Sequence, residues 1–108
     1  MMDEGDYRAR IDETLKRIDT AFENVDPDLA ESDYAQKTLV ITFKQAHKLI
    51  LSPQTPLRQL WLAFRDRAWH MNWAEASAEW LDDRGPKVEL MALIAELASQ
   101  NAGVALTF

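Results

Sequence analysis

The β-prone stretches of this chain are joined by connections too short for parallel pairing, and that fixes the kind of sheet it can build. Six segments alternate or are rich in β-branched and aromatic residues: "ESDYA" (31–35), "TLVITF" (38–43), "KLIL" (48–51), "QLWLAF" (59–64), "AWHMNW" (68–73) and "EWLD" (79–82). Between them lie only polar or turn-like stretches such as "AQK", "KQAH", "SPQTP", "RDR" and "DRGP". A parallel crossover needs a dozen residues or more, so five or six strands must pair antiparallel. Ahead of them, Tyr7, Ile11, Leu15, Ile18, Phe22 and Val25 recur at steps of four and three, which predicts an amphipathic helix over 7–25. Pro27 disfavours helical geometry at Asp26 and ends it. After the strands, "GPKVELMALIAELASQNAG" predicts a second helix with Pro86 in its first turn, a stripe of Leu90, Leu93, Ile94 and Leu97, and Gly103 past its end.

Helix, strand meander, helix is the order of an α+β fold. Both helices then pack on one face of the antiparallel sheet, a two-layer α/β sandwich in a single domain over residues 1–108. The other sheet face is left to water. In "QLWLAF", alternation sends Leu60, Leu62 and Phe64 to one face and Gln59, Trp61 and Ala63 to the other. Trp61 is therefore expected on the uncovered side, away from the residues best suited to the core.

Charge is unevenly placed. Residues 1–33 hold eleven acids and four bases, whereas the whole chain holds eighteen and twelve, so the net charge of −6 belongs to the first third. Such a surface repels nucleic acid and anionic membranes and attracts basic protein patches or hard cations. No apolar run approaches the roughly 18 residues of a membrane span, and the acidic start "MMDEGDYRAR" is unlike a secretory signal. The expected location is the cytoplasm. The chain has no cysteine, which removes disulfides, thiolate-bound metals and thiol nucleophiles together. A metal must bind through oxygen or through His47 and His70.

At about 100° per residue, Asp12, Asp19, Glu23 and Asp26 fall in a narrow arc beside the apolar stripe. Glu31 and Asp33 share one face of the first strand, and Asp28 lies in the connection. An antiparallel approach of strand to helix edge would merge them into one ridge. Like charges so close destabilise one another unless a cation or basic partner relieves them. Carboxylates suit Mg²⁺, Ca²⁺, Mn²⁺ and iron, and exposed ones would hold them weakly, with water completing the coordination. "DPDLAESDY" is not an EF-hand loop, because it lacks the glycine at its sixth position and the closing glutamate. An acidic helix edge is also, most often, a solvated face. Catalytic signals are poor: there is no glycine-rich phosphate loop, no nucleophile elbow, no "HExxH", and the two histidines share no spacing motif.

Taken together, the acidic first helix, "TLVITF", "PQTPLRQLWLAF", "WH" at 69–70, "EWLDDRG" at 79–85 and the terminal helix resemble the frataxin family in its bacterial branch. The most specific stretch is "QTPLRQLWL", similar to the family's Gln-Thr-Pro-x-x-Gln-(Ile/Leu)-Trp-Leu signature, and the resemblance spans essentially the whole chain. It implies two helices against an antiparallel sheet, and an iron-binding protein, Fe²⁺ or Fe³⁺ held weakly by carboxylates. It further implies a protein that regulates iron–sulfur cluster assembly by docking on a cysteine desulfurase and its scaffold protein. The family's iron sites carry over to Asp19, Glu23, Asp26, Asp28, Glu31 and Asp33, with Asp12 beside them. Its partner surface carries over to Gln54, Gln59, Trp61 and Arg84. The resemblance implies a monomer that iron can drive to an oligomer, and a binding protein rather than an enzyme. An iron donor, or a ferroxidase that stores its product, are the alternatives; the second lacks the Glu-x-x-His of a di-iron site. Thr20 and Asn24 stand where relatives often have acids, Ser52 and Pro53 where they have asparagine and a base. "RDRA" lacks glycines common there, and "NWAEASAEW" is longer, leaving Trp73 without an assigned role.

Overall fold

A computed structural model describes residues 2–108 of the chain. The first helix, α1 (Glu4–Phe22), begins where the Asp3 carboxylate accepts a hydrogen bond from the Asp6 amide at 2.8 Å, satisfying one of the orphan donors of a helix N-terminus. It starts and stops three residues earlier than the apolar period suggested. The period reports burial, not helical geometry. Tyr7, Ile11, Leu15, Ile18 and Phe22 are buried on the helix, whereas Val25 packs on the core from the turn beyond it.

Six strands follow in simple meander order, each antiparallel to the next: β1 (Ala30–Ala35), β2 (Thr38–Phe43), β3 (Lys48–Gln54), β4 (Gln59–Phe64), β5 (Arg67–Ala74) and β6 (Glu79–Asp82). The β1–β2 turn is only Gln36 and Lys37, both at positive φ (54° and 65°), the backbone that a two-residue hairpin needs to match strand twist. The β4–β5 turn is likewise Arg65 and Asp66 alone, because Arg67 already pairs with Phe64. Strand β3 continues through Ser52 and Pro53 to Gln54, where "SPQTP" had suggested a turn. A short 3₁₀ turn, Thr55–Leu57, then reverses the chain. Tyr7 secures this end of the ladder: its hydroxyl accepts from the Gln54 amide at 3.0 Å and donates to the Gln59 carbonyl at 2.5 Å.

The second helix, α2 (Leu90–Ala102), starts four residues after Pro86, which corrects the expectation that Pro86 opens it. The intervening chain is first used in extended form. Leu81 bridges Glu89, and the Asp82 amide donates to the Val88 carbonyl at 2.9 Å. Glu89 is the N-cap, its carboxylate accepting from the amides of Met91 (2.7 Å) and Ala92 (3.0 Å). Gly103, at φ 65°, closes the helix.

Both helices cover one sheet face. Leu39, Ile41, Leu49, Leu51, Leu60, Leu62, Trp69, Met71 and Trp80 alternate inward against the α1 and α2 stripes. The buried indole N–H of Trp80 is satisfied within this layer: Trp80 Nε1 donates to Thr14 Oγ1 at 3.0 Å, and that hydroxyl donates to the Arg10 carbonyl at 2.7 Å. Trp73 finds its role here as well. It lies at the margin of the helix-side layer, edge-on to Trp80 at 5.5 Å, with the Arg10 guanidinium 4.4 Å above its ring.

Phe22 and Leu97 are buried, whereas Trp61 is partly exposed on the opposite face. Truncating Phe22 or Leu97 to alanine is expected to cost roughly 2 to 5 kcal/mol. Trp61→Ala should cost about 1 kcal/mol or less. Urea unfolding of the three variants checks the order, and a Trp61 cost equal to that of Phe22 would contradict this assignment of faces.

Candidate functional site

The acidic residues gather where the C-terminal end of α1 meets β1. Two hydrogen bonds join them: Ser32 Oγ donates to Asp19 Oδ1 at 2.5 Å, and the Tyr34 hydroxyl donates to Asp12 Oδ1 at 2.8 Å. Moving forward along β1 thus moves backward along α1, so strand and helix edge run antiparallel. Alternation then places Glu31 and Asp33 on the other side of β1, exposed toward the uncovered sheet face. Glu23 is the C-cap of α1, and Asp26 and Asp28 lie in the exposed turn beyond it. Asp26 is therefore not part of the helical arc expected for it, because the helix has already ended. Its carboxylate accepts from the Asp28 amide at 2.9 Å and shapes the turn.

Electrostatically this end is unfavourable by construction. The negative end of the α1 dipole faces Asp19, Glu23, Asp26 and Asp28, and no basic residue occupies the last turn. At the other end of the edge, Asp12 is well compensated: the Tyr34 hydroxyl, and then Lys16 at 3.0 Å, hold its carboxyl below the usual carboxylate range. Burial, reinforced by Asp12, pushes the Tyr34 phenol up to about 12.

The donor set is hard, which fits iron or a divalent cation, but its members are spread out. Among the described residues no three histidine or acidic side chains form a group able to hold a metal ion. The arrangement fits loose binding with water as the remaining ligands, and it does not fit a closed site.

The second region is the uncovered face of β3, β4 and β5. Gln59 and Trp61 lie on it as alternation required, with Leu60, Leu62 and Phe64 buried behind them. Gln54 is opposite Gln59 across the β3–β4 turn, and Ser52 is opposite Trp61. The Trp61 ring stacks on His70 at 4.3 Å and 18°, while its Nε1 donates to Gln59 Oε1 at 2.8 Å. Gln59 Nε2 in turn reaches Asn72 Oδ1 (3.2 Å) and Asp83 Oδ2 (3.4 Å). Arg84, largely exposed, donates to the Ala68 carbonyl and lies 3.5 Å from Asp82. A row of paired residues, Asp33, Val40, Ile50 and Ala63, crosses from β1 to β4 and links the acidic edge to the tryptophan strand. Ile50 in that row is 38% exposed.

His70, Asn72 and Asp83 were not singled out from the sequence as members of this surface. The signal was there: a two-residue β4–β5 turn pairs Trp61 with His70 and Gln59 with Asn72, whereas a three-residue "RDR" turn leaves that register undefined.

The family model described as a frataxin-like domain matches residues 1–104. The chain is 35% identical to an iron-sulfur cluster assembly protein CyaY from Dechloromonas aromatica, over 97% of each protein. It is 33% identical to the CyaY of Pseudomonas aeruginosa, covering 94% of this chain and 93% of that one, and 28% identical to the CyaY of Tolumonas auensis over 98% of both. A frataxin structure from Psychromonas ingrahamii, at 22% identity, superposes with a TM-score of 0.87 over 97% of this chain and 96% of that one, and so has the same fold.

The raised Tyr34 phenol has a consequence at high pH. Its folded pKa exceeds the ordinary value of 10.0, so its contribution is complete below that value and is lost as pH rises toward about 12. Tyr7, raised chiefly by burial, acts in the same direction. Thermal unfolding of wild type should therefore weaken between pH 10 and 12, and Tyr34→Phe should weaken less over that window. Equal slopes for the two proteins would show that the Asp12–Tyr34 bond carries no such coupling.

Proposed function

The chain belongs to the frataxin-like family, and from that premise we propose that it is an iron-binding regulator of iron–sulfur cluster assembly in the cytoplasm. In this reading it acts by docking, as a monomer, on a cysteine desulfurase and its scaffold protein. It binds neither nucleic acid nor membrane. The observation that carries the reading is the continuity of the two regions described above. Asp33 and Ala63 are three strand spacings apart, roughly 14 Å, so the acidic edge and the Trp61 surface fit under one partner. Exposed carboxylates give such a surface its attraction to a basic patch and its fast encounter, and a partly exposed tryptophan with polar neighbours is the residue type that concentrates binding energy.

Iron enters as cargo or signal. Glu23, Asp26, Asp28, Glu31 and Asp33, with the remaining oxygen of Asp19, are the residues that would hold it, and an ion there would relieve both mutual repulsion and the misplaced helix dipole. Iron occupancy would then change the charge that the partner meets, and so the docking. The same residues serve an iron donor equally well. A ferroxidase asks for more, since two adjacent irons need convergent ligands, and the described residues hold no group of three.

Reversing Glu31 and Asp33 together to lysine should abolish capture by immobilised cysteine desulfurase at low salt. Both side chains are exposed, so the far-UV circular dichroism should stay that of wild type. Undiminished capture by the double variant at moderate salt would overturn the role of the acidic edge in docking.

A further inference from the structure

Trp61 is held by its neighbours, and the chemistry of those neighbours dictates their orientation. An indole N–H can only donate and a carboxylate only accept, so Gln59 must turn its oxygen to Trp61 and its nitrogen to Asp83. Stacked on the indole is His70, whose ring lies 4.3 Å from that of Trp61 and whose Nδ1 lies 3.8 Å from the same Asp83 oxygen that receives Gln59. Gln59 is thus bonded to this carboxylate, and His70 lies beside it within ion-pair distance. The backbone fixes its position: the Asp83 amide donates to the His70 carbonyl at 2.8 Å, and the carboxylate of buried Asp82 accepts from the His70 amide at 3.2 Å.

We propose that Asp83 is a positioning residue for Trp61. Through Gln59 and His70 it selects one orientation of the indole on the open sheet face before any partner arrives. This rests on the docking reading above, in which Trp61 contacts the partner. A side chain already ordered in the free protein loses less conformational freedom on binding. Asn72 supports the same glutamine nitrogen from β5, but it does not reach the histidine arm.

The test separates order from affinity. In free Asp83→Ala, the heteronuclear NOE of the Trp61 indole N–H should fall, with the backbone amide spectrum otherwise preserved, and affinity for the cysteine desulfurase should drop roughly three- to tenfold. Asp83→Asn keeps an oxygen for Gln59 to donate to, and should recover most of both losses. An indole as ordered in Asp83→Ala as in wild type overturns the proposal whatever the affinity does, and so does a failure of Asp83→Asn to restore the order. If the indole loosens but affinity holds, Trp61→Ala decides. Wild-type affinity in that variant overturns the docking reading and leaves positioning standing, whereas a loss there overturns the link between order and docking.

Discussion

Burial of alternate strand residues against two helices on one side determines where every other side chain in the sheet must stand. The inward set from Leu39 to Trp80 meets Tyr7, Ile11, Leu15 and Ile18 of α1 and Leu90, Leu93, Ile94 and Leu97 of α2. Among the described residues there is no third layer, so the outward set, including Asp33, Ile50, Trp61 and His70, is left facing water. The register is unforgiving, because a slip of one residue in β4 would exchange Trp61 for Leu62. Tyr7 ties that register to the helix layer by bonding both Gln54 and Gln59 from its place on α1.

The same construction explains the acidic edge. The short connection between Phe22 and Ala30 turns the chain back, so α1 runs antiparallel to β1 and its C-terminal end meets the strand that carries Glu31 and Asp33. Carboxylates at the negative end of a helix dipole oppose stability, by up to about 1 kcal/mol each at an exposed site. Compensation is present at Asp12, through Tyr34 and Lys16, and at Asp19 through Ser32. Glu23, Asp26 and Asp28 sit at the end with no basic residue in the last turn. Stability alone would not choose that distribution, whereas the proposed recognition of cations or of a basic surface would make use of it.

Much of this was legible in the residues. The short connections dictated antiparallel pairing, the steps of three and four dictated the α1 stripe, and period two in "QLWLAF" put Trp61 outside. What was not legible depends on groups distant in sequence. The start of α2 moved from Pro86 to Leu90 because Val88 and Glu89 first pair with the end of β6, a tertiary choice that overrides a good N-terminal signal. Asp26 left the helical arc because burial of Val25 does not require helix at Val25. The ring of Gln59, Asn72, His70 and Asp83 around Trp61 draws on β4, β5 and the residue after β6, and it appears only once the Arg65–Asp66 turn sets the register. Trp73 was opaque for a similar reason, since its partner Arg10 lies on α1.

In the proposed docking, the acidic edge and the Trp61 face form one surface used together. An NMR titration of the isotope-labelled chain with cysteine desulfurase tests it most directly. Resonances of Glu31, Asp33, Ile50, Gln59, Trp61 and His70 should broaden or shift in step, while those of Glu96 and Gln100 on the outer side of α2 stay in place. Perturbation concentrated on the helices, or confined to one of the two regions at saturation, would show that they do not act as one surface.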